Sequence, residues 1–496
     1  MTRLDQLLDH GAPDAVALVE RDRTVTYADL KDLVARVAGG LVAAGVRPGD
    51  RVAIWLSKTI EAVVTTFAVS RAGAIAVPVN PVLRGPQVAH ILSDSGARLL
   101  IANRSRRAML TDAPTTLTVE DDWDALAAAA APPEPATGPD DLAAILYTSG
   151  STGRAKGVMV SHRNLVVGAE SVASYIGNTP DDRILCVLPL SFDAGFSQVT
   201  TAFRSGARAV LLDFLAPRDV LKSTVRHGIT GITGVPPLWL QLADLDWPEE
   251  ARGTLRYMAN TGGRMPVATT RRLRALFPDA KLFLMYGLTE AFRSTYLDPA
   301  LVDARPESIG KAIPNAEILV VRPDGSLTDP GEPGELVHVG PLVAHGYWND
   351  PERTAERFRP APPAATMGDV AVWSGDTVMR DADGFLTFVG RTDEMIKTSG
   401  NRVSPTEIEE AAYATGAVAE AVALGLPDER LGHAILLLAT PASGLDPETA
   451  EAQLRAGLMQ GAPHYMMPKR IDWRTSLPRN ANGKLDRAAL KAEVGA

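Results

Sequence analysis

Alternating short apolar runs and helix-patterned stretches between about Arg51 and Gly287 predict an α/β fold built on parallel sheets flanked by helices. Two further observations refine that class. After about Ala312 the sequence turns strand-rich with Asp-Gly turns, which predicts a small β-rich subdomain. Behind Arg391, two helix starts bracket an apolar strand, which predicts a small C-terminal α+β domain.

In chain order, RVAIWLS, DLAAILYT, DRILCVLPL, ARAVLLD, GITGIT, TLRYMAN and KLFLMYG are apolar runs bounded by turn residues and read as buried strands. NLVVGAESVASYI and ATTRRLRALF carry helical periodicity between them. The stretch from Ala125 to Asp141 reads as a helix end and a surface connection. EILVVRPDGS, GELVHVG and GFLTFVG supply the later strands. Ser404, Pro405 and Glu407 form a capping-box start with proline at the first helical position, and Asp446-Pro447-Glu448 form a second start, with the strand AILLLAT between them. The domain boundary is placed at Arg391–Asp393, dividing the chain into 1–391 and 392–496. No internal repeat is evident.

Composition bounds the function. A length of 496 residues corresponds to about three compact units at ~150 residues each. Hydrophobic residues at 46% and charged residues at 22% match a globular protein. Fifty basic against 59 acidic side chains leave a net charge of −9, which argues against a general nucleic-acid binder. One cysteine excludes a disulfide framework and any Cys-rich metal site, and Cys186 in RILCVLPL reads as a buried structural thiol. No apolar run reaches the ~18 residues of a spanning helix. The N-terminal MTRLDQLLDHGAPDA lacks the order of a signal peptide, so no membrane insertion and a cytoplasmic location are expected.

The most informative stretch is YTSGSTGRAKG, following the strand LAAIL. Hydroxyls at Thr148, Ser149, Ser151 and Thr152 alternate with Gly150 and Gly153, and Lys156 adds a charge. Glycine lets successive N–H groups converge on an anion, so this is a phosphate cradle, although its spacing is not that of the usual NTPase loop. Glu290 in MYGLTE follows the strand KLFL, where a carboxylate suits a divalent cation or simply caps a helix. Asp376 in SGD, the stretch GRTDEMIKTSGNRVSPTEIE and the turn NANGK presenting Lys484 complete the set. Taken singly, a lysine after a turn is ordinary solvated surface.

In this order the elements resemble the adenylate-forming superfamily of acyl-CoA synthetases, amino-acid adenylation domains and luciferases, over essentially the whole chain. GYWNDPERTAERF is a further segment similar to that family. The resemblance implies a large N-terminal domain of stacked, mostly parallel sheets and a mobile C-terminal domain. It implies ATP and Mg2+ as cofactors, with AMP and pyrophosphate as products. A carboxylate attacks the α-phosphate to give an acyl-adenylate, and a thiol then displaces AMP. On the matching positions, Thr148 to Lys156 would hold the β- and γ-phosphates. Glu290 would bind Mg2+, with Thr289 near the α-phosphate. Tyr286 and Gly287 would meet the adenine beside Gly262, Gly263 and Arg264. Asp376 would accept the ribose hydroxyls and Arg391 would contact the same region. Lys484 would bridge the carboxylate and α-phosphate. Asp393 would be the hinge that brings Lys397 and Gly400 to the site for thioester formation. The presence of Glu290, Asp376, Arg391 and Lys484 argues against a catalytically silent relative.

For the substrate, Asp193 in SFDAGFSQ stands where amino-acid adenylation domains carry an aspartate for the substrate ammonium. Arg293 could instead pair with Asp193, or bind a side-chain carboxylate of the substrate. Gly234, Ala259, Thr261, Met285 and Ser294 would also line the acyl site, and the bulk of Met285 and Arg293 favours a small acid. The first expectation is a small amino acid loaded onto a phosphopantetheinyl carrier protein in trans. The alternative is an AMP-forming acyl-CoA ligase for a short or medium-chain acid, a reading that MIKTSGNRVSP favours.

Overall fold

The computed structural model describes residues 3–148, 155–391, 394–398, 401–428 and 431–496, with the side chains of Lys397, Asn401 and Arg402 left out. Ser149, Gly150, Ser151, Thr152, Gly153, Asp393, the Lys397 side chain and Gly400 therefore lie outside the described residues.

Two sheets enclose a shared layer of helices. The smaller runs Thr115–Thr118, Leu99–Ala102, Arg51–Trp55, Ile75–Pro78, Leu142–Thr148 and Lys156–Ser161, parallel except for the last pair. The larger has a parallel centre of Arg208–Leu211, Arg183–Cys186, Gly231–Gly234, Tyr257–Asn260 and Lys281–Tyr286. Helices Tyr27–Ala43, Ile60–Arg71, His162–Ile176 and Asp193–Arg204 fill the space between, in one apolar cluster that includes Val52 and Ile54 from one sheet and Cys186 and Phe283 from the other. Ala53 and Trp55 belong to a second cluster on the outer face of the same strand. A strand buried on both faces has no polar alternate residues, and this is why these strands are continuous apolar runs.

The strand-rich segment after Ala312 extends the larger sheet. Thr295–Leu297 pairs antiparallel with Lys281–Tyr286, Ser308–Ala312 follows, and Leu386–Arg391, Val370–Arg380, Pro333–Val339 and Glu317–Val321 complete that end. A separate sheet holds Asn401–Val403, Ile396–Thr398, Gly432–Pro441 and Val418–Asp428, with Arg470–Trp473 beside Gly432–Pro441. Its helix Pro405–Ala414 has the expected box: the Thr406 amide donates to Ser404 Oγ (3.2 Å) and the Ser404 amide to Glu407 Oε2 (3.3 Å).

Three element bounds differ from expectation for local reasons. The run DRILCVLPL is a strand only over Arg183–Cys186. Beyond it Pro189 has no N–H to give a ladder, and the Leu188 amide donates to Gln198 Oε1 (3.1 Å), steering the chain into the helix that opens at Asp193. GITGIT is a strand only from Gly231, because Gly228 (φ +56°) closes the preceding helix. The helix containing NLVVGAESVASYI begins at His162, where Ser161 and Asn164 cap it reciprocally. Cys186 is fully buried, and burial pushes its thiol up to about 12, as an inert structural thiol requires. Among the described residues no helix is long and apolar enough to cross a membrane.

Candidate active site

The site gathers at the carboxyl ends of the larger sheet's parallel strands, where an open α/β sheet leaves a crevice. Thr148 ends its strand with Oγ1 buried and without a hydrogen-bond partner, a free donor at the entrance to the glycine-rich loop. At the other end of that loop, Lys156 Nζ donates to Tyr347 Oη (2.8 Å) and to Glu290 Oε1 (3.2 Å). Tyr347 Oη in turn donates to Glu290 Oε1 at 2.6 Å. Burial works to raise the Glu290 carboxyl, but the Lys156 charge and the Tyr347 hydrogen bond bring it below the usual glutamate value. Burial lowers Lys156, against the opposing pull of Glu290. Glu290 is thus an ionised carboxylate held by a cation.

No cluster of three or more His, Cys, Asp or Glu residues suited to a metal occurs among the described residues. One ionised carboxylate beside Lys156 fits Mg2+, which keeps its waters and takes most other ligands from substrate phosphates.

A second group joins Tyr286, at the end of the parallel strand Lys281–Tyr286, to Asp376 and Arg391 on the antiparallel strands. Tyr286 Oη donates to Asp376 Oδ2, and Arg391 Nη1 lies 3.4 Å from Asp376 Oδ1. Burial pushes the Asp376 carboxyl up, while Arg391 and the tyrosine hydroxyl pull it back. Its Oδ1 is buried and accepts no hydrogen bond. Arg264 is turned to Glu307 (3.6 Å), and Asn260 Nδ2 donates to the Gly263 carbonyl (2.9 Å), fixing the glycine turn.

Lys484 reaches this crevice from the C-terminal unit. The Gly483 amide bonds to the Asn480 carbonyl (2.9 Å) and the Asn480 amide to the Lys484 carbonyl (2.8 Å), closing a turn that requires φ +80° at Gly483. Asn80 Nδ2 donates to the Ala481 carbonyl at 2.7 Å and pins the turn to the N-terminal part. The lysine ammonium stands 4.9 Å from the Phe192 ring centre. A Cβ on Gly262 (φ +77°) would fall 2.6 Å from Lys484 Cε, so only glycine leaves room for the side chain. Burial lowers Lys484, Asp193 opposes this, and Arg293 adds to it. Behind the turn a cavity of ≈ 470 Å³ is lined by Ser57, Asn80, Ser191, Val235 and Asn482, among others.

The acyl side is enclosed. Asp193 opens its helix fully inside the protein, with Oδ1 unpartnered, and burial pushes its carboxyl up. Arg293 and Asp193 are not an ion pair: no contact within 4.0 Å joins them. Arg293 Nη1 donates to the Thr261 hydroxyl. Met285 Sδ accepts from Tyr175 Oη (2.9 Å). Met285 and Arg293 border a small cavity of ≈ 10 Å³, with Ser197, Gln198 and Thr233. Gly234 and Ala259 lie on adjacent strands, opposite Asn260 and Thr233 respectively, while the Ser294 hydroxyl faces His338 Nδ1 (2.9 Å), and Ser294 does not line that cavity.

Tyr347, Phe192 and Asn80 are site residues that the sequence alone does not single out. Tyr347 sits in GYWNDPERTAERF, so its segment is visible there but its tie to Lys156 and Glu290 is not.

Residues 9–348 match the AMP-binding enzyme family, and residues 407–484 match the AMP-binding enzyme C-terminal domain. The chain belongs to the AMP-binding enzyme family and is an AMP-forming ligase. It is 33% identical to a feruloyl-CoA synthase of Amycolatopsis sp., over 97% of this chain and 96% of that protein. It is also 34% identical to a phosphinothricin tripeptide synthetase of Streptomyces viridochromogenes, over 96% of this chain but 44% of that protein. Among solved structures it resembles o-succinylbenzoate coenzyme A synthetase from Bacillus subtilis in complex with ATP and magnesium ion, with a TM-score of 0.84, 28% identity and 99% of both chains covered.

Proposed function

We propose that this enzyme is an AMP-forming acyl-CoA ligase for a short carboxylic acid. It uses ATP with Mg2+ and releases AMP and pyrophosphate. The observation that carries the reading is the seating of Lys484 against Gly262 and Phe192, within reach of the charge of Asp193, which also feels Glu290 and Arg293. The substrate carboxylate oxygen forms a bond to the α-phosphorus and the bond to pyrophosphate breaks. Thiol sulfur then bonds to the acyl carbon as AMP leaves with the C–O electrons.

In this assignment Thr148 and Lys156, with Ser149, Gly150, Ser151, Thr152 and Gly153, hold the polyphosphate. Glu290 holds Mg2+, which neutralises phosphate charge, and Thr289 stands by the α-phosphate. Tyr286, Gly287, Gly262, Gly263 and Arg264 form the adenine side, and Asp376 and Arg391 the ribose side. Lys484 stabilises the charge that develops on the α-phosphate and carboxylate. Residues 1–391 and 392–496 act as two units pivoting at Asp393, and Lys397 and Gly400 serve the second step. The thiol arm enters through the ≈ 470 Å³ cavity, which reaches the Lys484 turn from behind.

CoA is the favoured acceptor because the feruloyl-CoA synthase matches this chain over nearly its whole length. Asp193 keeps a second reading open, a small amino acid loaded onto a carrier protein, because its buried carboxylate is unpaired by Arg293. Pyrophosphate exchange with propionate and with alanine, followed by transfer to CoA or to a phosphopantetheinyl carrier protein, separates the two. Preference for alanine and the carrier protein would replace the first reading by the second.

A further inference from the structure

Arg293 is 2% exposed and carries a charge that burial cannot remove. A buried cation needs a counter-charge, yet no described carboxylate lies within 4.0 Å of it. Its partners are neutral: the Thr261 and Tyr175 hydroxyls, with the Phe292 ring centre 5.8 Å from the guanidinium carbon. Its Nε has no partner at all. Asp193 is the natural candidate to answer it, but the two do not meet, and Asp193 Oδ1 is itself unpartnered. Glu290 is committed to Lys156 and Tyr347.

The backbone holds Arg293 in place at a cost. Phe292 has φ 57° and ψ −76°, a conformation that bulky L-residues avoid and that persists only where the surroundings enforce it. Gly287 lies against the turn so closely that a Cβ there would be 2.9 Å from Arg293 Cα. Arg293 lines the ≈ 10 Å³ cavity together with Ser197, Thr201 and Thr233. That free space is about one water in size, so a distal carboxylate seats there only by displacing neighbouring side chains, and a long acyl chain is disfavoured.

We propose that the acid activated here carries a second carboxylate, which Arg293 binds while the first reacts beside Lys484. This rests on the ligase reading above and names its substrate class: short dicarboxylic acids. Arg293 borders the cavity, and Lys484 stands close enough for the two positive charges and Asp193 to act on one another. One carboxylate for each completes both, and the hydroxyls supply further donors to the distal one.

Pyrophosphate exchange with three matched pairs tests this: malonate against propionate, succinate against butyrate, and aspartate against 2-aminobutyrate. Each pair differs only by a carboxylate in place of a methyl group. The expected result is at least ~10²-fold higher kcat/KM for the diacid in one pair, because loss of one partner of a buried charge pair has effects of that size. Preference for the monoacid in every active pair would overturn the inference and leave the ligase reading standing. Exchange with none of the six would overturn both. In Arg293→Met the diacid-to-monoacid ratio should fall at least ~10-fold, and Arg293→Lys should recover part of it. An equal loss for both acids would assign Arg293 to the scaffold and overturn the proposal; should either variant fail to fold, the panel on the parent enzyme decides.

Discussion

Lys484 is a half-buried lysine, and the proposed role assigns its charge to the first half-reaction. Lys484→Ala is expected to slow adenylation by ~10²–10³-fold, the usual result of losing one charged donor to a transition state, while sparing thioester formation from supplied acyl-adenylate. Equal loss in both steps, measured by single-turnover product formation, would remove Lys484 from its role. His338 bears on stability instead. It is fully buried, touches the Ser294 hydroxyl through Nδ1, leaves Nε2 unpartnered, and burial lowers it from 6.5 to about 3. Between those two values the unfolded chain binds a proton that the folded chain refuses. Stability therefore falls as the pH drops below about 6.5, by ~1.4 kcal/mol per pH unit from this one group. His338→Gln should flatten that acid slope. Urea midpoints at pH 7 and pH 5 that shift alike in both proteins would show that His338 is not the group responsible.

Between elements, the turn Asn480–Lys484 meets the turn at Gly262 with no spare room. Gly262→Ala puts a Cβ 2.6 Å from Lys484 Cε and also forces alanine to φ +77°. The lysine chain is flexible and gives way, so the protein should fold, with ~1–2 kcal/mol lost to the left-handed backbone. Adenylation should drop at least ~10-fold as the ammonium is displaced. An unchanged adenylation rate at normal stability would show that this contact does not position Lys484. The strands that build these turns are legible in the sequence because burial on both faces makes them continuous apolar runs, as in Val52 to Trp55. Their ends are less so. Whether DRILCVLPL stops at Cys186 depends on Gln198 capturing the Leu188 amide, a tertiary contact with no local signature. In the N-terminal hairpin that extends the larger sheet, Val16–Glu20 is a short apolar run buried at Ala17–Val19, whereas its partner Arg23–Thr26 is exposed at Arg23 and Thr24 and carries no such run. The site divides in the same way. Glu290, Asp376 and Lys484 stand in short motifs, whereas Tyr347 gains its role only by contact with Glu290 and Lys156 far away in the chain. The missing Asp193–Arg293 ion pair is a distance, and distances are not written in a linear string.

Across the full chain, the two steps make conflicting demands on one place. The proposed adenylation step uses Lys484 in the crevice, and the turn that delivers it forms part of the wall of the ≈ 470 Å³ cavity through Ala481, Asn482 and Gly483. A thiol arm using that cavity has to displace the same wall. The ties that hold the C-terminal unit here include the Asn80 side chain on the Ala481 carbonyl and Glu410 on the Val267 amide (2.9 Å). Neither is a buried apolar interface, which suits the proposed release and redocking of the unit between steps. The pivot proposed for this motion is Asp393. Replacing it with proline fixes φ near −65° and removes its N–H, which restricts rotation about that point. Asp393→Pro is therefore expected to support a single round of adenylate and pyrophosphate formation and then stall, with thioester formation reduced at least ~10²-fold. Quenched-flow measurement of adenylate and thioester in parallel distinguishes the outcomes. A variant that folds normally and transfers the acyl group at the parent rate would place the pivot elsewhere, or show that the second step proceeds with the C-terminal unit where it now stands.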